Sequence, residues 1–230
     1  MNSTSLTRAL IASCCALAFM LPTPPVLAAN LTTTYQANYN FSSLPGSTTV
    51  ELPQWNSAVF PSSILLSASL RLNTLIEADA TGENDASIGG PIFLLYDGTM
   101  GASAPSGLSP SVHIEWGHDM IVSRSDGVPG SGPDFRTWLG VSIPNSATAA
   151  PTHNLNPYMG SQTFTANVNG SGAFSIFDEM GPSTLHVNRF SVTGSVEVTY
   201  TYTAPVPEPS SFLLAAFGVI SLCVWCRPKR

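Results

Sequence analysis

The sequence predicts an all-β fold, an antiparallel β-sandwich of the jelly-roll kind, with an N-terminal signal peptide before it and a C-terminal single transmembrane helix after it. From Asn30 to about Ala204, helical patterns are nearly absent, and apolar residues alternate with polar ones between turns rich in Gly, Pro and Asn. The clearest strand runs from Val196 to Thr203, where Val and Tyr alternate with Glu and Thr. Several short strands with one solvated face are typical of a sandwich.

The first 28 residues have the three parts of a secretory signal peptide. Arg8 supplies the positive charge, and an apolar run follows from Ala9 to Leu21. Small residues before the boundary between Ala28 and Ala29 predict cleavage there by signal peptidase. The mature domain is therefore expected to span residues 29–204.

Within that domain the period-two pattern predicts a series of strands. The strand at Thr48–Leu52 is predicted to be the first, and the alternation of the long run Ile64–Ile76 slips near Asn73, which predicts a bulge there. The other predicted strands are 92–96, 112–116, 137–143, 164–168, 173–177 and 196–203. Long loops are predicted at 103–110, 124–133 and 145–157.

Composition limits the partners of the domain. The chain has 230 residues and a formal net charge of −6. Residues 29–208 hold four arginines, no lysine and all fourteen acidic residues, which gives this range a net charge of −10. Such a surface repels nucleic acid, so nucleic acid is excluded as a partner. The four cysteines lie in the two apolar terminal segments, so the mature domain is expected to fold without disulfides.

The C-terminal segment, residues 205–230, has three parts in a fixed order. A stiff turn, Pro207-Glu208-Pro209, precedes an apolar run at 211–226 and a basic tail at 227–230 that contains Arg227, Lys229 and Arg230. The fifteen apolar or small residues from Phe212 to Cys226 would rise about 22 Å as a helix, against about 30 Å for the hydrocarbon core of a bilayer. Three cations resist translocation and should stay in the cytoplasm, which places the preceding domain across the membrane.

This order of parts resembles the PEP-CTERM sorting signal of Gram-negative bacteria. The resemblance implies that an exosortase, a membrane protease, recognises Pro207, Glu208 and Pro209 and removes the tail. It implies a precursor anchored in the inner membrane and then a product at the cell surface or outside the cell. The stretches VELPQWN, GSGAFSIFD and GSVEVTYTYTAPVPEPS resemble the bacterial choice-of-anchor E domains, which are extracellular and predicted to be rich in β-structure.

Two groups of residues have metal-binding chemistry. Glu77, Asp79, Glu83, Asn84 and Asp85 offer the hard oxygen ligands that Ca²⁺ prefers, and Asp79, Glu83 and Asp85 are the calcium candidates; an acidic solvated loop is the alternative. His113 and Glu115 share a strand face, and His118 could return to them over a turn at Gly117, with Asp119 as a further ligand. The alternative for this second group is a polar strand end.

Three further patterns allow two interpretations each. The aromatic residues suit either a sugar-stacking platform or a sandwich core: Trp55, Trp116, Trp138, Tyr35, Tyr39, Tyr96 and Tyr158. Ser125-Asp126 with a distant histidine is a weak hydrolase signal, since no Gly-x-Ser-x-Gly elbow accompanies it. Thr199, Thr201 and Thr203 form one threonine face, which is either an ice-type array or an ordinary exposed strand face.

The sequence favours a protein without enzymatic activity, exported and processed by an exosortase, with a structural or adhesive role linked to exopolysaccharide. The alternatives are a carbohydrate-binding module and a secreted hydrolase. Apart from weak calcium binding, no cofactor is expected.

Overall fold

The computed structural model describes residues 29–204, which form eight β-strands and two short 3₁₀ turns, Pro105–Gly107 and Asn156–Tyr158. The strands are β1 (Asn30–Phe41), β2 (Gly46–Pro53), β3 (Ile64–Asn84), β4 (Gly90–Ser103), β5 (Ser111–Val122), β6 (Phe135–Thr148), β7 (Thr163–Asp178) and β8 (Ser183–Thr203). In this part of the chain, no helix has the length and apolar character needed to cross a membrane. The predicted signal peptide, its cleavage site after Ala28 and the predicted C-terminal transmembrane run lie outside the described residues.

The strands form two antiparallel four-stranded sheets. The first sheet has the order β1-β8-β3-β6 and the second has the order β2-β7-β4-β5. Except for β4 and β5, which pair within the second sheet, successive strands alternate between the two sheets, which is the connectivity of a jelly roll. The predicted all-β jelly-roll sandwich is confirmed.

The core lies between the two sheets and is made by the inward half of each alternating strand. Every second residue of β3 from Ala68 to Asn84 is buried, and so are Val196, Val198, Tyr200 and Tyr202 of β8. The outward residues between them are polar apart from Leu75 of β3, and the sequence shows this alternation most clearly in β8. Trp55 and Tyr158, from the connections at one end of the sandwich, are also fully buried.

The prediction that Thr48–Leu52 is the first strand was wrong, because β1 precedes it. β1 is an edge strand that pairs only with β8, and its outward residues Thr32, Thr34, Gln36 and Asn38 are exposed. Its inward residues give a weak apolar signal, which explains why the pattern was missed. The predicted strands 164–168 and 173–177 are parts of one strand, β7. Position 172, within β7, is occupied by glycine because a Cβ there would clash with the Tyr96 hydroxyl and the backbone of Gly98.

The bulge predicted near Asn73 was also wrong. The extra residue of β3 is Leu66, between the Leu65–Tyr202 and Ser67–Thr201 pairs, and the register is continuous through Asn73. The apolar pattern slips there because Thr74 occupies a core-facing position, and Leu75 faces outward. Thr74 is tolerated in the core because its hydroxyl lies 2.6 Å from the Tyr39 hydroxyl.

The loops agree with the prediction in two places out of three. Residues 124–133 lie outside the regular strands, and residues 104–110 connect β4 to β5 through a 3₁₀ turn. The loop predicted at 145–157 begins later, because β6 continues to Thr148 and pairs there with Arg71.

Candidate functional site

The outer face of the second sheet carries the tightest group of metal-ligating side chains in residues 29–204. Asp97 of β4 lies directly opposite Glu115 of β5, and His113 lies two residues before Glu115 on the same face. His113 Nε2 is 3.0 Å from Glu115 Oε1 and 3.7 Å from Asp97 Oδ1. One ligand atom from each of the three residues lies within 4.8 Å of the other two.

The group contains Asp97 in place of His118, which the sequence had suggested. β5 continues without a turn through Gly117, so His118 falls on the opposite face of the strand from His113 and stacks on Trp116 at a centroid distance of 6.2 Å. The predicted grouping of His118 with His113 was therefore wrong. Asp97 takes its place, and only the β4–β5 register could have revealed this partner.

Charge explains the geometry of this group. Two carboxylates directly opposite each other on neighbouring strands repel. The hydrogen bond that His113 Nε2 makes to the Glu115 carboxylate raises the pKa of His113, and the negative charges of Asp97 and Glu115 act in the same direction. Protonation of His113 would offset this repulsion. The same three atoms could ligate a divalent metal, but all three residues are exposed, and His113 Nε2 already makes a hydrogen bond to Glu115.

The calcium candidates from the sequence are dispersed along β3 and just after it. Asp79 accepts a hydrogen bond from Gly140 N and pairs with Arg189 at 3.2 Å. Glu83 accepts from Gly130 N at 2.9 Å, and Asp85 accepts from the Thr184 hydroxyl at 2.7 Å. Within residues 29–204 these three carboxylates do not form a group of ligand atoms within 4.8 Å of one another.

Asn84, the remaining member of that stretch, is fully buried. Its side-chain amide donates to Ile88 O and Ser123 O and accepts from Ala86 N, each at 2.8 Å. Asn84 therefore fixes the backbone of two connections at one end of the sandwich, and it is not available as a ligand.

Most of the aromatic residues that could have formed a sugar platform are in the core. Five of the seven are buried, namely Trp55, Trp138, Tyr39, Tyr96 and Tyr158. Tyr35 packs edge-on against Tyr200, with ring centroids 6.1 Å apart. Trp116 is half-buried and partly covered by His118. The core interpretation of these residues therefore describes them better than a flat exposed platform.

The first sheet carries an outer face of hydroxyl and amide groups, which we call the hydroxyl face. Thr199 and Thr201 of β8 are flanked by Thr34 and Thr32 of β1 on one side, and on the other by Ser69 and Ser67 of β3. Thr34 and Thr199 join through their hydroxyls at 2.9 Å. The sequence showed only the single threonine strand; the two flanking rows appear once the strand order is known.

The Ser125-Asp126 pair lies in the loop between β5 and β6. The Ser125 hydroxyl accepts a hydrogen bond from Gly127 N at 3.3 Å, and Asp126 Oδ1 accepts from Val128 N at 2.8 Å. Both side chains therefore cap local turns of this loop.

Comparison with known proteins locates the sorting signal. A family model described as a PEP-CTERM protein-sorting motif matches residues 205–227, which contain Pro207, Glu208, Pro209 and Arg227. No curated protein is significantly similar to the chain. The resemblance of residues 30–204 to choice-of-anchor E domains stays a prediction.

Among solved structures, the chain matches that of infectious bursal disease virus Gx strain at 13% identity and a TM-score of 0.18, over 90% of this chain and 52% of that one. It spans about half of that viral chain. The nora virus structure matches at 10% identity with a TM-score of 0.21, over 83% of this chain and 67% of that one. The structure of Desmodium yellow mottle tymovirus matches at 14% identity with a TM-score of 0.19, over 83% of this chain and 90% of that one. The jelly-roll assignment given above rests on the strand order alone.

The match at residues 205–227 confirms the sorting signal that the three-part C-terminus predicted. Its processing partner is an exosortase. The chain therefore carries a PEP-CTERM protein-sorting motif, which marks it as an exported protein, anchored in the membrane as a precursor and then placed at the cell surface by exosortase processing.

Proposed function

We propose that the mature protein is a non-enzymatic structural or adhesive component of the cell surface that binds exopolysaccharide through the hydroxyl face. The observation that carries the proposal is the register of that face, which places Thr34, Thr199 and Ser69 in one row across three strands. Hydroxyl groups both donate and accept hydrogen bonds, so a row of them matches the hydroxyls of an extended sugar chain.

The electrostatics of the face support the same ligand. Its threonine and serine rows carry no charge, whereas the domain as a whole is strongly acidic. Neutral hydrogen-bonding groups bind a neutral or weakly charged polysaccharide without the repulsion that the rest of the surface would impose on an anionic one. Because the aromatic residues are largely buried, binding here would depend on hydrogen bonds rather than on stacking.

Co-sedimentation of the mature protein with exopolysaccharide from its own host tests this proposal. Thr34→Val with Thr201→Val removes two hydroxyls from neighbouring rows at nearly constant volume, and we expect the bound fraction to fall at least several-fold. Thr49→Val on the outer face of the second sheet is the matched control. Equal binding by the face variant and the control would refute the proposed surface, and release of new reducing ends would refute the non-enzymatic role.

Processing is tested separately. We expect Glu208→Ala to leave unprocessed precursor in the inner membrane, because the variant loses the carboxylate between the two prolines of the motif. Intact mass spectrometry of membrane, surface and medium fractions should find a wild-type chain that begins near Ala29 and ends near residue 208. Normal processing of the Glu208→Ala variant would refute recognition of this motif.

A further inference from the structure

The loop between β5 and β6 contains a buried carboxylate with one oxygen that lacks a hydrogen-bond partner. Asp134 is fully buried. Its Oδ2 accepts a hydrogen bond from Asp126 N at 2.8 Å, but its Oδ1 has no hydrogen-bond partner among residues 29–204. An unpaired polar atom that is shielded from water costs free energy, and a carboxylate costs more than a neutral group, so buried acids are normally paired or bound to a metal ion.

A second carboxylate lies at the same point. A Cβ built on Gly132 would lie 2.9 Å from Asp134 Oδ1 and closer still to Asp126 Oδ2, so these two oxygens are no more than about 5 Å apart. Asp126 is exposed, and its other oxygen is held by Val128 N at 2.8 Å. One oxygen of a buried carboxylate and one of an exposed carboxylate thus lie against the same glycine, where a side chain would clash with both.

No cation of the described chain fills this position. The ion pairs within residues 29–204 involve neither Asp126 nor Asp134. Arg136, the basic residue closest in sequence to Asp134, directs its guanidinium to the carbonyl oxygens of Ile121 and Phe135. Two carboxylates at this separation repel unless a positive charge lies between them.

The surrounding loop is held in place by hydrogen bonds from the end of β3. Asn84 N donates to Asp134 O at 3.1 Å, and the Asn84 amide donates to Ser123 O. Ser123 N closes the loop on Pro133 O at 3.1 Å, and Glu83 accepts from Gly130 N. The two carboxylates are therefore positioned by the fold before any ion binds.

We propose that this loop binds a calcium ion through Asp134 Oδ1 and Asp126 Oδ2. Ligand oxygens lie about 2.3–2.6 Å from Ca²⁺, so one ion can bridge oxygens up to about 5 Å apart. Only oxygen ligands converge here, which suits a hard cation and not zinc or copper. Because Asp126 is exposed, the remaining coordination positions are open to water. Two carboxylates and solvent correspond to the weak calcium sites of extracellular proteins, with Kd of about 10⁻⁴–10⁻³ M.

The first test is calorimetric titration of the chelator-treated mature protein with CaCl₂ and with MgCl₂. We expect one calcium ion to bind in the submillimolar to millimolar range, and magnesium to bind more weakly because it keeps its water shell and needs a regular octahedron. At 10 mM CaCl₂ the melting temperature should rise by about 3–10 °C. Absence of calcium binding to the unmutated protein would overturn the proposal.

Two isosteric variants identify the ligands. Asp134→Asn removes the buried charge, so its calcium-free melting temperature should rise while its calcium response disappears. Asp126→Asn changes an exposed residue, keeps the fold and should also lose the response. Asp79→Asn with Asp85→Asn, the candidates suggested by the sequence, should keep it. A calcium response that survives both Asp126→Asn and Asp134→Asn would overturn the proposal.

A glycine pair provides a steric control. Gly132 has φ of +94° and Gly127 has φ of +76°, so alanine strains the backbone at both positions. Only the Cβ at position 132 would enter the space between the carboxylates, because no atom lies within 4 Å of a Cβ at position 127. Gly132→Ala should abolish calcium binding, and Gly127→Ala should retain it.

Discussion

The hydroxyl pair between Tyr39 and Thr74 is the clearest place to measure the contribution of a buried polar contact to this fold. Thr74 of β3 is 4% exposed and Tyr39 of β1 is 7% exposed. Their hydroxyls lie 2.6 Å apart, and the Tyr39 hydroxyl also donates to Asn73 O at 3.0 Å. Gly194 leaves the space that the phenol occupies, because a Cβ there would lie 2.5 Å from the Tyr39 oxygen.

The two single substitutions are not equivalent. Tyr39→Phe leaves the buried Thr74 hydroxyl without its phenol partner, so it should lower the free energy of unfolding by about 1–3 kcal/mol. Thr74→Val removes a hydroxyl that needs a partner and leaves Tyr39 bonded to Asn73 O, so the loss should stay below about 1 kcal/mol. The double variant replaces both groups by apolar ones of similar shape and should be no less stable than Tyr39→Phe alone.

Urea unfolding of the mature protein measures these differences, provided that the slope with denaturant is the same in all four proteins. The coupling between the two sites should be about 1 kcal/mol. Effects that add to within about 0.3 kcal/mol, or a Tyr39→Phe variant as stable as the unmutated protein, would refute the argument that Thr74 depends on Tyr39.

Three further predictions concern stability. Gly82→Ala should lower the free energy of unfolding by about 1–3 kcal/mol, because the new Cβ would lie within 3 Å of the Ile176 and Trp138 side chains. Gly101→Ala, with its nearest atom at 3.1 Å, should be milder. Asp79→Ala should lower the free energy of unfolding more than Arg189→Ala, because Asp79 also accepts a hydrogen bond from Gly140 N. Arg189→Ala removes only the exposed ion pair and should cost less than about 1 kcal/mol. Urea unfolding measures both changes. Burial raises the pKa of Tyr158 to about 12. The contribution of the neutral phenol to the free energy of unfolding is therefore complete below pH 10, and up to about 3 kcal/mol of it is lost as the pH rises from 10 to 12. Unfolding at several alkaline pH values should show a smaller loss in Tyr158→Phe, and an unchanged pH dependence would contradict this assignment.

The sequence predicted those parts of the fold where both faces of a strand give a signal. The end of β8, from Val196 to Thr203, alternates strictly because it lies in a central strand with one buried and one outward face, and its assignment needed no tertiary information. β1 was missed because an edge strand exposes most of its outward side, and its threonines and asparagines look like those of a loop. The break in the apolar pattern at Thr74 was interpreted as a bulge because the sequence could not show that Tyr39, 35 residues earlier, supplies the missing hydrogen bond.

The same distinction applies to the sites. The sorting signal depends on the local order of a turn, an apolar run and a basic tail, so one short segment that contains residues 205–227 was enough to identify it. Asp97 is brought next to His113 by the register between β4 and β5, which the sequence does not show. The sequence alone was compatible with a straight β5 and with a turn at Gly117.

Calcium binding illustrates why the density of acidic residues along a chain is a poor guide to an ion site. The stretch from Glu77 to Asp85 is rich in acids, but Asp79, Glu83 and Asp85 each make hydrogen bonds to different neighbours. Asp126 and Asp134 are eight residues apart in a glycine-rich loop, and what distinguishes them is convergence on one point, with one oxygen buried and unpaired. Glu83 nevertheless contributes, because its hydrogen bond to Gly130 N helps to hold that loop. The acidic stretch thus acts as the support of the proposed calcium site, and the ligands come from the segment that it holds.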